Sequence, residues 1–315
     1  MKHTYKVTAI LIAFFLLAQF LGLLIINQYI DHKKSIEIKE TVMKPLPLGI
    51  ERPEVENKST SYILIIISIL VGTGFALLIV KYNKPLIWKI MFFFSVTTTL
   101  TIAFGAFINY YAAAVIALIL AGWRLYRPNV YIQNLSEIFI YGGLAAFFVN
   151  IFNLFSAFMM LIVISIYDFI AVYKTKHMVK LATFQSSSKV FAGLMIPYEA
   201  PKTHGKKHES GRHEKIEIIS SPNSSEKTAK SSRTRVAILG GGDVGFTLIF
   251  AGVVMKDLML TETVLTGFLK TLIIPLFASI ALLYLLMKGE KNKFYPAMPI
   301  LSFGCLVGYL VVWII

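Results

Sequence analysis

Apolar residues run along this chain in long unbroken stretches, separated by short polar segments. A soluble core has no need of such runs, whereas a bilayer does. Nine stretches predict membrane spans: 7–30, 62–80, 88–107, 110–126, 130–149, 152–173, 236–255, 264–287 and 294–315. Most approach the roughly 20 residues that a helix needs to cross the hydrocarbon. The chain divides accordingly. Residues 1–173 hold spans one to six with an outer loop at 31–61, residues 174–235 form a polar loop, and residues 236–315 hold spans seven to nine. The predicted class is an all-α membrane protein with nine transmembrane helices. The turn at Phe107–Tyr110 is very short for a connection between two spans.

Charge orients the bundle. Hydrophobic residues make up 56% of the chain, charged residues 15%, and the net charge is +14. So basic a chain would suit nucleic acid, but the charge is segregated. With the N-terminus cytoplasmic, most of the 31 lysines and arginines fall on inner segments, and the loops at 107–110 and 149–152 carry none. That alternation is the positive-inside pattern, and an even number of spans would break it. The expectation is N-terminus inside, C-terminus outside, in a multi-pass protein of the cell membrane. Nucleic acid is excluded as a partner, and anionic lipid is the natural contact of the basic inner loop. The apolar run from Val7 to Ile30 is too long for a signal-peptide core and lacks a small-residue cleavage site, so it reads as a retained first span. Pro45, Pro47 and Pro53 predict irregular structure in the outer loop, and the Ser-, Lys-, Gly- and His-rich half of 174–235 predicts disorder. Cys305 stands alone, which rules out an internal disulfide or a cysteine metal site.

Within the spans the clearly ionisable residues are Glu137, Asp168, Asp243 and, near an outer end, Lys270. A charged carboxylate in hydrocarbon costs at least ~2.5–3.5 kcal/mol, so each needs a reason. Asp168 lies six residues before Lys174, and Asp243 eight residues after Arg235. At helical rise these are depths of about 9 Å and 12 Å below the inner surface, on spans running in opposite directions. A buried acid held by a tyrosine, the backbone or a lysine would account for either aspartate alone. Two at one level favour chemistry. Paired carboxylates in low dielectric share one proton, so that one activates water while the other donates to a carbonyl oxygen. Glu137 sits close enough to the inner end of span five to reach water or Arg127, which is a structural role.

Two backbone features accompany the pair. Gly240, Gly241 and Gly242 weaken the helix before Asp243 and predict loosened or extended backbone that lets another chain come close. Tight packing against a neighbouring helix is the other reading. Pro296 and Pro299 flank Ala297 and Met298, and Pro299 disfavours helix at Met298. The segment is expected to be extended near the aspartates, a helix start with proline in its first turn being the alternative.

Together these elements resemble the presenilin and signal peptide peptidase family of GxGD intramembrane aspartyl proteases. The matching residues are Tyr167-Asp168, Gly240-x-Gly242-Asp243, and Pro296-Ala297-Met298-Pro299 at the place of the family's PAL motif, with Met298 replacing leucine. The resemblance implies a presenilin-like nine-helix bundle, Asp168 and Asp243 as catalytic dyad, and Tyr167, Gly240, Gly242, Pro296, Ala297, Met298 and Pro299 shaping the active site. It implies cleavage of transmembrane segments of substrate proteins, with no cofactor or metal. The N-in orientation is more similar to presenilin than to signal peptide peptidase. The compact chain is expected to act without accessory subunits. Apolar, β-branched Val236–Leu239 could pair with an unwound substrate as a strand.

Competing signals are weaker. Gly240-x-Gly242-x-x-Gly245 also fits a dinucleotide fingerprint, but the apolar run that follows is a span rather than a βαβ continuation. His204, His208 and His213 lie among glycines and lysines, and read as a solvated loop rather than a metal site. A proton-coupled transporter or channel could use the same acid pair, but no inverted repeat is visible.

Overall fold

A computed structural model describes residues 5–55, 57–175, 177–188, 190–199, 234–289 and 295–315. Seven helices, in some cases counted with an adjoining turn or short helix, are long and apolar enough to cross a membrane, and two shorter apolar helices accompany them. The elements are α1 Tyr5–Tyr29, α2 His32–Ile38, α3 Ser61–Lys81, α4 Pro85–Gly105, α5 Tyr110–Tyr126, α6 Val130–Phe148 and α7 Leu154–Phe169. They continue as α8 His177–Ser187, β1 Gly193–Glu199, β2 Thr234–Gly240, α9 Gly241–Thr261, α10 Val264–Thr271, α11 Ile273–Lys288 and α12 Met298–Ile314.

Short connections are possible because asparagines cap the helices they open. Asn109 accepts the Tyr111 N–H, Asn129 the Tyr131 N–H, and Asn153 forms a reciprocal capping box with Ser156. The abrupt turn before α5 is thus secured by Asn109.

Among the membrane-length helices α9 is the most enclosed and α3 the least. Helices α1, α6, α7, α11 and α12 all pack on α9. Phe158 of α7, Phe250 of α9 and Tyr309 of α12 meet edge to face, with ring centroids 5.0–6.4 Å apart, and tie these three helices together. Helix α12 is drawn onto α11 at Gly304 and Gly308. A Cβ at Gly304 would lie 2.8 Å from the Ala281 side chain, and one at Gly308 2.8 Å from the Ile274 Cα.

Several expectations need correction. The span predicted at 236–255 begins as a strand, and its helix runs from Gly241 to Thr261. Helical rise therefore does not apply between Arg235 and Gly240, and the 12 Å depth for Asp243 has no basis. The shift brings Lys256 and Asp257 into the helix; Lys256 is buried and its Nζ donates to the Phe152 carbonyl. The span at 264–287 stands as an apolar stretch over Val264–Lys288, broken at Leu272 into α10 and α11. The outer loop is only partly irregular, since it forms α2 and two short 3-10 turns. The described part of 174–235 contains α8 and β1. The predicted disorder and the histidines at 204, 208 and 213 lie outside the described residues.

Strands β1 and β2 form a two-stranded antiparallel sheet in which Met195 faces Ile238 and Pro197 faces Val236. Leu194, Ile196, Ala237 and Leu239 are buried, while Val236 and Ile238 are exposed, the alternation of a sheet with one face on the core.

Candidate active site

Asp168 stands in the last turn of α7, only 7% exposed, just before a π-helical turn at Ile170–Lys174. Its Oδ2 accepts the Met298 N–H at 3.1 Å, and the Ala297 N–H is directed at the same carboxyl. Sequence explains why these amides are free. The first turn of any helix carries N–H groups with no partner within the helix, and an anion is favoured there. Pro296 and Pro299 have no N–H, which leaves those of Ala297 and Met298 between them. The segment is not extended as expected: Ala297 has φ −86° and ψ −31°, and Met298 opens α12 with Pro299 second. The proline-in-first-turn alternative is the observed one, because the strain at Met298 is small where the helix is only beginning.

Asp243 is the third residue of α9, with Gly240 in the N-cap position at φ −64° and ψ 140°. Its carboxyl reaches back to the Gly240 N–H, as the third residue of a capping box does. Each glycine answers differently to the two readings offered. A Cβ on Gly240 would stand 3.0 Å from the Asp243 Oδ2 and crowd the carboxyl. A Cβ on Gly241 would press on the Tyr141 ring at 3.2 Å, so this glycine serves packing. Gly242 is exposed, with only the Phe246 ring nearby. Gly241 and Gly242 are helical, so the extended backbone ends at Gly240.

The two carboxyls lie on neighbouring helices, α7 and α9, which pack on each other. Helix α12 braces both. Ser302 is 2.9 Å from Ser165, one turn below Asp168, and Cys305 meets Thr247, whose hydroxyl donates to the Asp243 carbonyl at 2.7 Å. Beside Asp168, the Tyr167 hydroxyl is 2.8 Å from Thr73 Oγ1 on α3.

Three polar residues beside the site escaped sequence reasoning. Gln19 of α1, fully buried, donates to the Val244 carbonyl at 2.9 Å. Its signal was an amide in the middle of a span, away from the polar residues at the two ends. Arg124 of α5 is 5% exposed and pairs with Glu137, donates 3.0 Å to Ser136 and 2.9 Å to the Phe191 carbonyl, and stacks over Phe92. Glu137 thus pairs with Arg124 rather than with Arg127, because Arg124, one helical turn earlier on α5, lies against α6. Asn134, 6% exposed, holds both backbone groups of Met195.

Comparisons with known proteins bear on the family and the fold. A family model described as signal-peptide peptidase, presenilin aspartyl protease matches residues 9–315. A solved structure of a presenilin-family intramembrane aspartate protease, in space group C222, is similar over 95% of this chain and 94% of its own. Its TM-score is 0.56 at 15% identity. A structure with the same description in space group P2 gives 0.55 at 16% identity, covering 96% of each chain. At that identity the likeness speaks for the fold. A search of curated proteins finds no match.

Proposed function

The chain belongs to the signal-peptide peptidase and presenilin aspartyl protease family and is an intramembrane aspartate protease, and we propose that Asp168 and Asp243 are its catalytic dyad. The carrying observation is that the two carboxyls stand on helices that pack together, Asp168 held by the first amides of α12 and Asp243 in the first turn of α9. A water between them loses a proton to one carboxylate as its oxygen attacks the substrate carbonyl carbon. The other carboxyl gives its proton to the carbonyl oxygen. Collapse of the tetrahedral species breaks the C–N bond, the amide nitrogen takes a proton, and the dyad again holds one. The transporter reading has no support in this family.

The substrates are transmembrane segments, unwound to be cut. Asn134 takes the N–H and C=O of Met195, so neither faces β2, and in an antiparallel ladder the facing Ile238 must also direct its groups outward. Pro197, facing Val236, needs no ladder N–H, in keeping with this. Among the described residues no strand pairs with the other edge of β2, which therefore offers Val236 and Ile238 to a substrate strand and leads to Gly240 and the Asp243 carboxyl. Gly242 is exposed beside this path, where a side chain would meet the Phe246 ring. Tyr167 and Pro296–Pro299 shape the walls. Nine crossings with the N-terminus inside place the dyad toward the cytoplasmic face of the cell membrane, accessory subunits are not needed, and the basic inner loop meets anionic lipid.

The test is cleavage of a transmembrane substrate by the purified chain beside Asp168→Ala and Asp243→Ala. Each variant should be inactive yet folded. Cleavage surviving in either one overturns the dyad.

A further inference from the structure

One face of α6 does more than pack. Gln133 donates to the Gly193 carbonyl at 3.1 Å, and Asn134 donates to the Met195 carbonyl at 2.7 Å while accepting the Met195 N–H at 2.8 Å. One turn on, Glu137 holds Arg124, whose guanidinium takes the Phe191 carbonyl just ahead of β1. These groups bind alternate backbone positions, 191, 193 and 195, along the outer edge of β1. They do what a neighbouring strand would do, with side chains instead of backbone.

The arrangement is costly unless position matters. Arg124, Glu137 and Asn134 are all at most 6% exposed, and a buried charge pair is rarely more stable than apolar residues of the same volume. What these groups supply is a fixed location: the sheet cannot slide along α6 without breaking several charged or bidentate bonds at once. Strand β1 in turn holds β2 through its ladder, and β2 runs directly into the turn that carries Asp243.

We infer that Asn134, with the Arg124–Glu137 pair, is a specificity-determining device that sets which peptide bond of the substrate is cut. This rests on the reading above that substrate pairs with β2. With β1 anchored, β2 presents one rigid edge at one distance from the dyad, and a substrate strand has one best register. With the anchor removed, β2 bends, and neighbouring registers become comparable in energy. Slips of two residues dominate, because a slip of one turns the wrong backbone groups toward β2.

The experiment maps product ends by mass spectrometry for the purified full chain acting on one transmembrane substrate. The variants are Asn134→Leu and the paired Arg124→Leu/Glu137→Leu. The wild type should give one dominant cut. Each variant should move at least a third of the product to bonds two residues away, while total turnover falls less than tenfold. A merely structural role lowers turnover or thermal stability and leaves the distribution of ends unchanged; that result overturns the inference. If Asn134→Leu does not assemble, Asn134→Asp, which still accepts the Met195 N–H but sets a carboxylate oxygen against the Met195 carbonyl in place of the donor, reads the same distribution. Absence of any cut by the wild type counts against the proteolytic reading itself, and so is distinguishable.

Discussion

Proline at position 238 separates the two edges of β2. Because the Ile238 N–H points away from β1, replacing it removes a donor from the substrate side and leaves the β1–β2 ladder whole. A substrate carbonyl left without its donor in this water-poor setting costs about 1–3 kcal/mol, which lowers kcat/KM by between about fivefold and about a hundredfold. Ala237→Pro is the counterpart. Ala237 is fully buried and its N–H faces Ile196 of β1, so proline there breaks the ladder and unsettles the sheet. The assay is cleavage of a transmembrane substrate, with melting temperature measured on the same samples. Ile238→Pro should be a poor enzyme that melts near the wild type, and Ala237→Pro should melt early. Turnover of Ile238→Pro within twofold of wild type, or a reversal of the two melting results, would refute the outward-facing edge.

Other expectations follow from the helix contacts and from the outer loop. Ser165→Ala and Ser302→Ala, combined in a double-mutant cycle of unfolding, should show a coupling of about 0.5–1.5 kcal/mol, and strict additivity would mean that this bond does not hold α7 to α12. Gly308→Ala forces a methyl against the Ile274 backbone and should cost about 1–3 kcal/mol. It should also lower cleavage by displacing the Met298 amide from Asp168, and an unchanged melting temperature contradicts the close approach. Burial, with Lys44 nearby, holds His32 below the ordinary histidine value, so the folded outer loop prefers the neutral ring. Unfolded chain then binds more protons, and stability present at neutral pH is lost as pH falls through roughly 6.5. Hydrogen exchange over residues 31–44, corrected for intrinsic rate, should quicken on acidification in the wild type and much less in His32→Gln.

Sequence by itself determined the membrane character, the position of most helices, and the candidate aspartates with the Gly and Pro segments around them. These are local properties: apolar run length, the cost of a carboxylate in hydrocarbon, and proline's missing N–H are all written in neighbouring residues. The turn at Asn109 and the helix start at Met298 were within reach of the same reasoning, through capping and the tolerance of proline in a first turn. What only the tertiary structure decided were the pairings between distant segments. That Asp168 takes amides from α12, that Glu137 chooses Arg124 over Arg127, and that Gln19 reaches the Val244 carbonyl all depend on how helices far apart in the chain come to touch. The strand at 234–240 is divided between the two: Val236–Leu239 reads from sequence as able to pair as a strand, but only the structure supplies its partner, β1, which α6 holds in place.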